Sequence, residues 1–282
     1  MKSLTLVPIG GLANRFYAIT SAIAFCRDHD ITLRVIWFKD KGMGADFHSL
    51  FELSETVDKH KVEIVDAKWF HYLYDRPRKK NLWLPWIWQR ILFKWRSYEK
   101  DITTTFNLSL LETALDQKNF YLVHCYEFYP ISDFNILLLR KDIFYEVKRI
   151  RASFSGNNVV GIHIRRTDNI NSVRKSPLEL FIHSMDKEIE LDPKVVFFVA
   201  SDSLCEKQKL KNRYGEHILT YGEVVKRDNE KGIKEALIEL YLLSKTDRIY
   251  GSASSSFSLL AAKLSGISVK ILSTDNKYEN DR

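Results

Sequence analysis

Four short apolar runs in the second half of the chain, at 159–164, 195–200, 247–250 and 269–272, limit the fold most tightly. Each is long enough for one buried strand and too short for a helix. Helical spacing fills the intervals at 177–190, 204–214, 232–244 and 255–265. Strands that alternate with helices form a parallel sheet with helices on both faces, because parallel neighbours need crossover connections. In such a sheet, ligands collect beyond the carboxyl ends of the strands.

The first forty residues repeat the pattern. A buried strand at 3–8 leads through Gly10-Gly11 into apolar residues at Leu12, Phe16, Ile19, Ile23 and Cys26, a helical spacing. Ile31, Leu33, Val35 and Trp37 then alternate as a strand. Further strands are expected at 62–65 and 120–124, and a helix over 133–151 leads into Ser155-Gly156-Asn157-Asn158. That turn-rich run marks a domain boundary. The expectation is therefore an α/β chain of two Rossmann-like domains, 1–154 and 155–282.

With 282 residues and 45% hydrophobic content, the chain can bury one large core or two modest ones. Eleven glycines and six prolines are too few for linkers or low-complexity tracts. A formal charge of +7 suits an anionic ligand or an acidic surface but selects neither. Cys26, Cys125 and Cys205 lie far apart, without CxxC spacing and in apolar stretches. Neither a disulfide framework nor a zinc site is implied, and a reducing, cytoplasmic setting is expected. The polar run from Gly10 to Arg15 interrupts any signal-peptide core, and no apolar span approaches the ~20 residues that cross a bilayer.

Three strand ends in the second half carry chemistry. At His163-Ile164-Arg165-Arg166-Thr167-Asp168, alternation puts His163 and Arg165 on one face. A guanidinium there presents a planar fork of donors to phosphate oxygens, and Asp168 suits an arginine or a sugar hydroxyl. Ala200-Ser201-Asp202-Ser203 is the second end. Gly251-Ser252-Ala253-Ser254-Ser255-Ser256-Phe257 is the third, where a helix start offers unbonded N–H groups to an anion. The competing readings are a surface ion pair for Arg-Arg-Thr-Asp, a helix N-cap for Asp202, a capping role for the serines, and a satisfied core histidine for His163.

These residues resemble the superfamily of α1,2-, α1,6- and protein O-fucosyltransferases, including the rhizobial nodulation enzymes. Gly10-Gly11-Leu12-Ala13-Asn14-Arg15 is similar to that superfamily's Gly-Gly-x-Gly-Asn-Arg loop. His163-x-Arg165-Arg166-Thr167-Asp168 resembles its first motif, Val199-Ala200-Ser201-Asp202 its second, and Ser254-Ser255-Ser256-Phe257-Ser258 its third. The spacing through Pro177-Leu178-Glu179 and 242–247 is most similar to the α1,6 branch. The match spans roughly 4–37 and 159–266 and leaves the middle uncovered.

The resemblance implies a GT-B-like pair of Rossmann domains around a cleft. It further implies GDP-β-L-fucose as donor, transfer with inversion, and no metal or other cofactor. It assigns Arg165 and Asp168 to catalysis. Donor binding falls to Gly11, Asn14, His163, Arg166, Asp202, Glu239, Ser254, Ser255 and Ser256. Within that set His163 and Glu239 would read guanine, Glu239 standing where relatives carry aspartate. Val173 falls where α1,6 relatives place a candidate catalytic glutamate, leaving Asp168, Asp202 and Glu179 as candidate bases. A catalytically silent nucleotide-sugar-binding protein, or an enzyme for another GDP-sugar, is the alternative.

Asp28-His29-Asp30 matches a metal signature literally, but its place at a helix end reads as a turn, and no second acidic cluster accompanies it. From His71 to Lys100, eight basic residues face two acidic ones and are interleaved with Trp83, Trp86, Trp88 and Trp95. This segment, with Trp69 before it, reads as a helical excursion packed on the first domain, as an acceptor platform, or as a peripheral contact with the inner membrane surface for a lipid-linked glycan acceptor. Nucleic-acid binding is not expected, because no recognised binding motif is present.

Overall fold

The computed structural model describes residues 2–73, 83–98, 113, 115–154, 158–167, 169–223 and 226–275, the side chains of 73 and 83–86 excepted. The chain divides into two units, Met1–Arg140 with Arg227–Glu230, and Lys141–Lys226 with Lys231–Arg282. The sequence reading set the boundary at 154/155. The structure places helix Lys141–Arg151 with the second unit.

The first unit contains β1 (Ser3–Pro8), α1 (Leu12–Asp28), β2 (Thr32–Trp37), β3 (Phe51–Leu53), β4 (Val62–Asp66), α2 (Trp83–Leu92), β5 (Trp95–Ser97), β6 (Asn119–His124) and β7 (Leu137–Leu139). Five of these strands form a parallel sheet in the order β4-β2-β1-β6-β5. The helix expected over 133–151 starts at Lys141. Residues 137–139 instead pair antiparallel with 51–53, a partnership that no local pattern announces.

Helix α1 is buried along almost its whole surface from Leu12 to Cys26, as its small and apolar residues allow. It opens on a tight loop. Gly10 has φ +90°, and a Cβ there would stand 2.9 Å from Asn14, so the position requires glycine. Arg15, fully buried, clamps the loop by donating from Nε to Gly10 O (3.0 Å), from Nη1 to Phe38 O (2.6 Å) and from Nη2 to Asp40 (2.9 Å). Its guanidinium also lies 4.7 Å over the Trp37 ring. A buried charge is tolerated because every side of it is paired.

The second unit contains α3 (Lys141–Arg151), β8 (Val159–Ile164), α4 (Ile170–Lys175), α5 (Leu178–Leu191), β9 (Val196–Ser201), α6 (Leu204–Tyr214), β10 (Ile218–Thr220), α7 (Glu230–Leu243), β11 (Arg248–Ser252), α8 (Ser256–Ser265) and β12 (Ser268–Leu272). Its sheet is parallel throughout, in the order β10-β9-β8-β11-β12. Strand β8 is central and buried at every position, which is why it reads as an unbroken apolar run. Val160, Ile162, Ile164, Phe181, Met185 and Val199 form its core, each fully buried and each worth about 2 kcal/mol in apolar transfer.

Gly251 lets α8 settle onto β11. A Cβ there would lie 2.4 Å from Ser258 Oγ. Cys26 and Cys125 are buried, as their surroundings predict, but Cys205 is exposed on the outer side of α6. Asp28 ends α1, and Asp30 takes φ +55° and pairs with Lys61 in a turn. Among the described residues no cluster of metal-ligating side chains occurs, and no helix is long and apolar enough to cross a membrane.

Candidate functional site

In the second unit, the chain runs from β8 outward through β9 to β10, then returns to the other side of β8 as β11 and continues to β12. The order therefore reverses between β8 and β11. Their carboxyl ends diverge there and leave the crevice in which doubly wound sheets bind ligands. Gly251 pairs in register with His163, so the histidine, the arginines and the serine loop all leave the sheet at this one point.

Ser252 ties the two ends together. Fully buried, its hydroxyl accepts from the Arg165 amide (3.0 Å) and donates to the His163 carbonyl (3.1 Å). From the neighbouring end of β9, Asp202 accepts from Arg165 Nε (3.1 Å), from the Arg166 amide (2.7 Å) and from the Thr167 hydroxyl (2.7 Å). The N-cap alternative for Asp202 is excluded, because Ser203 caps α6 by accepting from the Glu206 amide. Asp202 instead holds the guanidinium plane of Arg165, whose side chain is 16% exposed and not a solvated surface charge.

Arg166 leaves in another direction. Its Nη1 donates back to the Arg165 carbonyl (2.9 Å), and its buried Nη2 has no hydrogen-bond partner among the described residues. Burial lowers its pKa against the attraction of Glu206, Asp202 and Glu179. The His163 ring is stacked on Phe257 at 4.8 Å, and its buried Nδ1 lacks a partner among the described residues. Burial, then the charge of Arg165, push its pKa down to about 3, so the imidazole is neutral. An orphaned buried nitrogen costs about 1–3 kcal/mol, so His163 is not the satisfied core histidine of the bland alternative.

The serine loop is strained and braced. Ser254 takes φ +55°, a left-handed conformation unusual for a residue with a Cβ. Asn169 Nδ2 donates to its carbonyl (2.7 Å), the Ser172 hydroxyl donates to the Ala253 carbonyl, and Ser176 Oγ accepts from the Ala253 amide (2.8 Å). Ser255 is the N-cap of α8, yet its hydroxyl makes no capping hydrogen bond, and Ser256 begins the helix. The loop thus presents a helix N-terminus whose cap side chain is not spent on the helix.

Glu239 on α7 is buried and pairs with Lys207 on α6, Nζ to Oε1 at 2.5 Å. Burial pushes its pKa up to about 8 against the opposing pull of the Lys207 ammonium, while Glu235 and Asp202 add to the rise. Lys207 also donates to the carbonyls of Tyr221 (2.6 Å) and Gly222 (3.4 Å). Val173 lies exposed on α4, where the resemblance would place a glutamate. Glu179 is exposed in the first turn of α5. Asp168 lies outside the described residues.

Gly11, in the loop that Arg15 clamps, and Asn14, in the first turn of α1, belong to the first unit. This loop sits at that unit's own reversal, between β1 and β6. Arg227, which folds with the first unit, lies 3.9 Å through Nη1 from where a Cβ on Gly11 would stand, and its carbonyl accepts from the Gly44 amide (2.8 Å). Sequence reasoning missed Arg227, Lys207 and Asn169, and it included Ser252 only as part of the third strand end, without a role of its own.

No family model and no curated protein matches this sequence. Solved structures do match over nearly the whole chain. The fucosyltransferase NodZ from Bradyrhizobium aligns with a TM-score of 0.63 at 17% identity, covering 94% of this chain and 93% of that one. POFUT1 in complex with GDP aligns with a TM-score of 0.56 at 12% identity, covering 96% and 98%. An Arabidopsis thaliana FUT1 variant in complex with GDP aligns with a TM-score of 0.64 at 16% identity, covering 96% and 70%. The chain thus has an α/β, GT-B-like fold of the kind seen in these fucosyltransferases, as the motif resemblance implied.

Proposed function

We propose that the chain is a glycosyltransferase that moves L-fucose from GDP-β-L-fucose to a glycan or lipid-linked glycan acceptor, with inversion and without a metal. The observation that carries the reading is the fixed Arg165 guanidinium beside an open helix N-terminus, where β8 and β11 part. Both elements suit a diphosphate. Among the solved structures of similar fold, NodZ was soaked with GDP-fucose and POFUT1 is in complex with GDP; the neutral His163, whose Nδ1 lacks a hydrogen-bond partner among the described residues, and the buried Glu239 are suited to a guanine edge.

In the proposed step, the bond from the sugar C1 to the β-phosphate oxygen breaks and its electron pair stays on GDP. An acceptor hydroxyl attacks C1 from the opposite face and releases its proton to water. Arg165 and the amides before α8 meet the charge that develops on the phosphate, a contribution worth several kcal/mol when donors are preorganised. Val173 supplies no base and Asp202 is committed to Arg165. The reading therefore rests on departure of the diphosphate more than on activation of the acceptor. The exposed Val173 also supports the alternative of a silent nucleotide-sugar-binding protein.

Thermal melts test the guanine assignment, and donor hydrolysis separates the two readings. GDP is expected to raise Tm well above UDP at equal concentration, by about 2.7 kcal/mol of added stability at a hundredfold excess over Kd. Equal stabilisation by UDP would refute the guanine assignment. Hydrolysis of GDP-fucose that survives a chelator supports the enzyme over the silent alternative, and a strict divalent-metal requirement would overturn the metal-free step.

A further inference from the structure

Over residues 87–92, helix α2 of the first unit has its polarity reversed. Among the described side chains, the residue turned inward is Gln89, fully buried, whose Oε1 accepts from the Tyr98 hydroxyl. The outward residues are apolar: Ile87 is 38% exposed, Trp88 41%, Ile91 67% and Leu92 42%. Their spacing of one, four and five puts them on one face. A surface helix of a globular protein does the opposite, burying its apolar stripe and wetting its amides. Trp69 and Phe70, on the adjoining turn Trp69–Leu73, are 79% and 40% exposed.

The described residues of this face carry one sign of charge. Residues 67–73 and 83–98 contain no aspartate or glutamate, while Lys68, Arg90 and Lys94 are exposed along them. The helix does not depend on an occupant for its hold, because Arg96 Nη1 binds the carbonyls of Gln89 (3.3 Å) and Phe93 (2.7 Å) at its C-terminal end. Tryptophan with branched aliphatics, rimmed by lysine and arginine and lacking acids, is the composition of a helix lying in a bilayer interface. A protein partner would have to place its own acids opposite each of these cations. An anionic lipid surface offers a negative headgroup to all of them at once.

We propose that the outward face of α2, with Trp69 and Phe70, is a monotopic docking surface for an anionic lipid bilayer. The helix lies in the interfacial plane with Ile87, Trp88, Ile91 and Leu92 among the acyl chains and Lys68, Arg90 and Lys94 at the headgroups. None of these residues belongs to the proposed donor set, so docking and nucleotide recognition can fail separately.

The test is co-sedimentation of the full chain with vesicles of phosphatidylcholine alone and of phosphatidylcholine mixed with phosphatidylglycerol. The parent is expected to pellet with the mixed vesicles, less so as salt is added, and weakly with the neutral ones. The pair Trp88→Glu with Ile91→Glu is expected to weaken binding about tenfold or more while GDP affinity stays unchanged. Because both positions are exposed, the pair should fold, and its melting curve checks that. The proposal is overturned if the parent ignores anionic vesicles, or if the double variant binds them as the parent does. It is equally overturned if the face proves to join two copies of the chain, seen as a concentration-dependent dimer that the same pair abolishes.

Discussion

Lys207 places its ammonium 2.5 Å from Glu239 Oε1 inside the second unit and satisfies its other hydrogens on the carbonyls of Tyr221 and Gly222. Helices α6 and α7 and the loop before α7 thus meet at one charge. With one oxygen held by Lys207, the proposed guanine contact falls to the other oxygen. The charge state of Glu239 decides which ligand, since a carboxylate accepts from both guanine N1–H and the amino group, whereas a carboxylic acid must donate one of its bonds.

Lys207→Met is therefore expected to cost about 3–5 kcal/mol of stability, the penalty for stranding one member of a buried pair. Adding Glu239→Gln should recover most of that loss, while the preference for GDP over IDP stays reduced. Urea unfolding and calorimetry of the two single variants and the double variant check both parts. Full GDP preference in the double variant would remove Glu239 from the base site.

Arg165→Lys keeps the charge and loses the fork that Asp202 orients. It is expected to fold normally and to lose about a hundredfold in kcat, roughly 3 kcal/mol of transition-state stabilisation. Arg166→Lys is expected to cost much less, because its Nη1 is turned back onto the Arg165 carbonyl. Steady-state donor hydrolysis with melting curves distinguishes them, and a more sensitive Arg166 would move the diphosphate away from Arg165.

His163 gives the protein an acid-side liability. Its folded pKa is about 3 against an ordinary value of 6.5, so between these values the native chain binds fewer protons than the unfolded one. Stability is then complete above pH 6.5 and falls as pH drops toward 3, by about 2 kcal/mol between pH 6.5 and 5. His163→Gln, compared with the parent by urea unfolding across that interval, should remove this slope. An unchanged slope would assign the loss to other groups, such as His124, which burial also lowers, to about 4.

The elements that the sequence located best are those whose signal is local. The strand at 159–164 and the helix at 204–214 stand in the structure with the bounds that periodicity suggested. The helix near 255–265 begins one residue later. A buried parallel strand needs apolar side chains at every position, so β8 announces itself wherever it is read. Elements with three residues of pairing, such as β7 or β10, carry too short a pattern to separate from a loop. Helix α4, six residues long, shows too few turns for a period.

The candidate site divides in the same way. Arg165, Asp202 and the serines were legible because a charged or hydroxyl residue at the end of an apolar strand has few structural reasons to be there. Lys207 was not legible, since in a helix reading Glu-Lys-Gln-Lys-Leu-Lys it looks like one more solvated charge. Only the packing of α6 against α7 buries it. The sequence by itself determined the parallel sheets and the strand ends that carry polar groups, because strand and helix periods depend on neighbours a few residues away. The tertiary structure alone decided that Asp202 grips Arg165 and leaves α6 to be capped by Ser203, that Lys207 meets Glu239, and that α2 turns Gln89 inward and Trp88 outward. Each of those choices is made by contacts between residues distant in the chain, whose geometry no local period encodes.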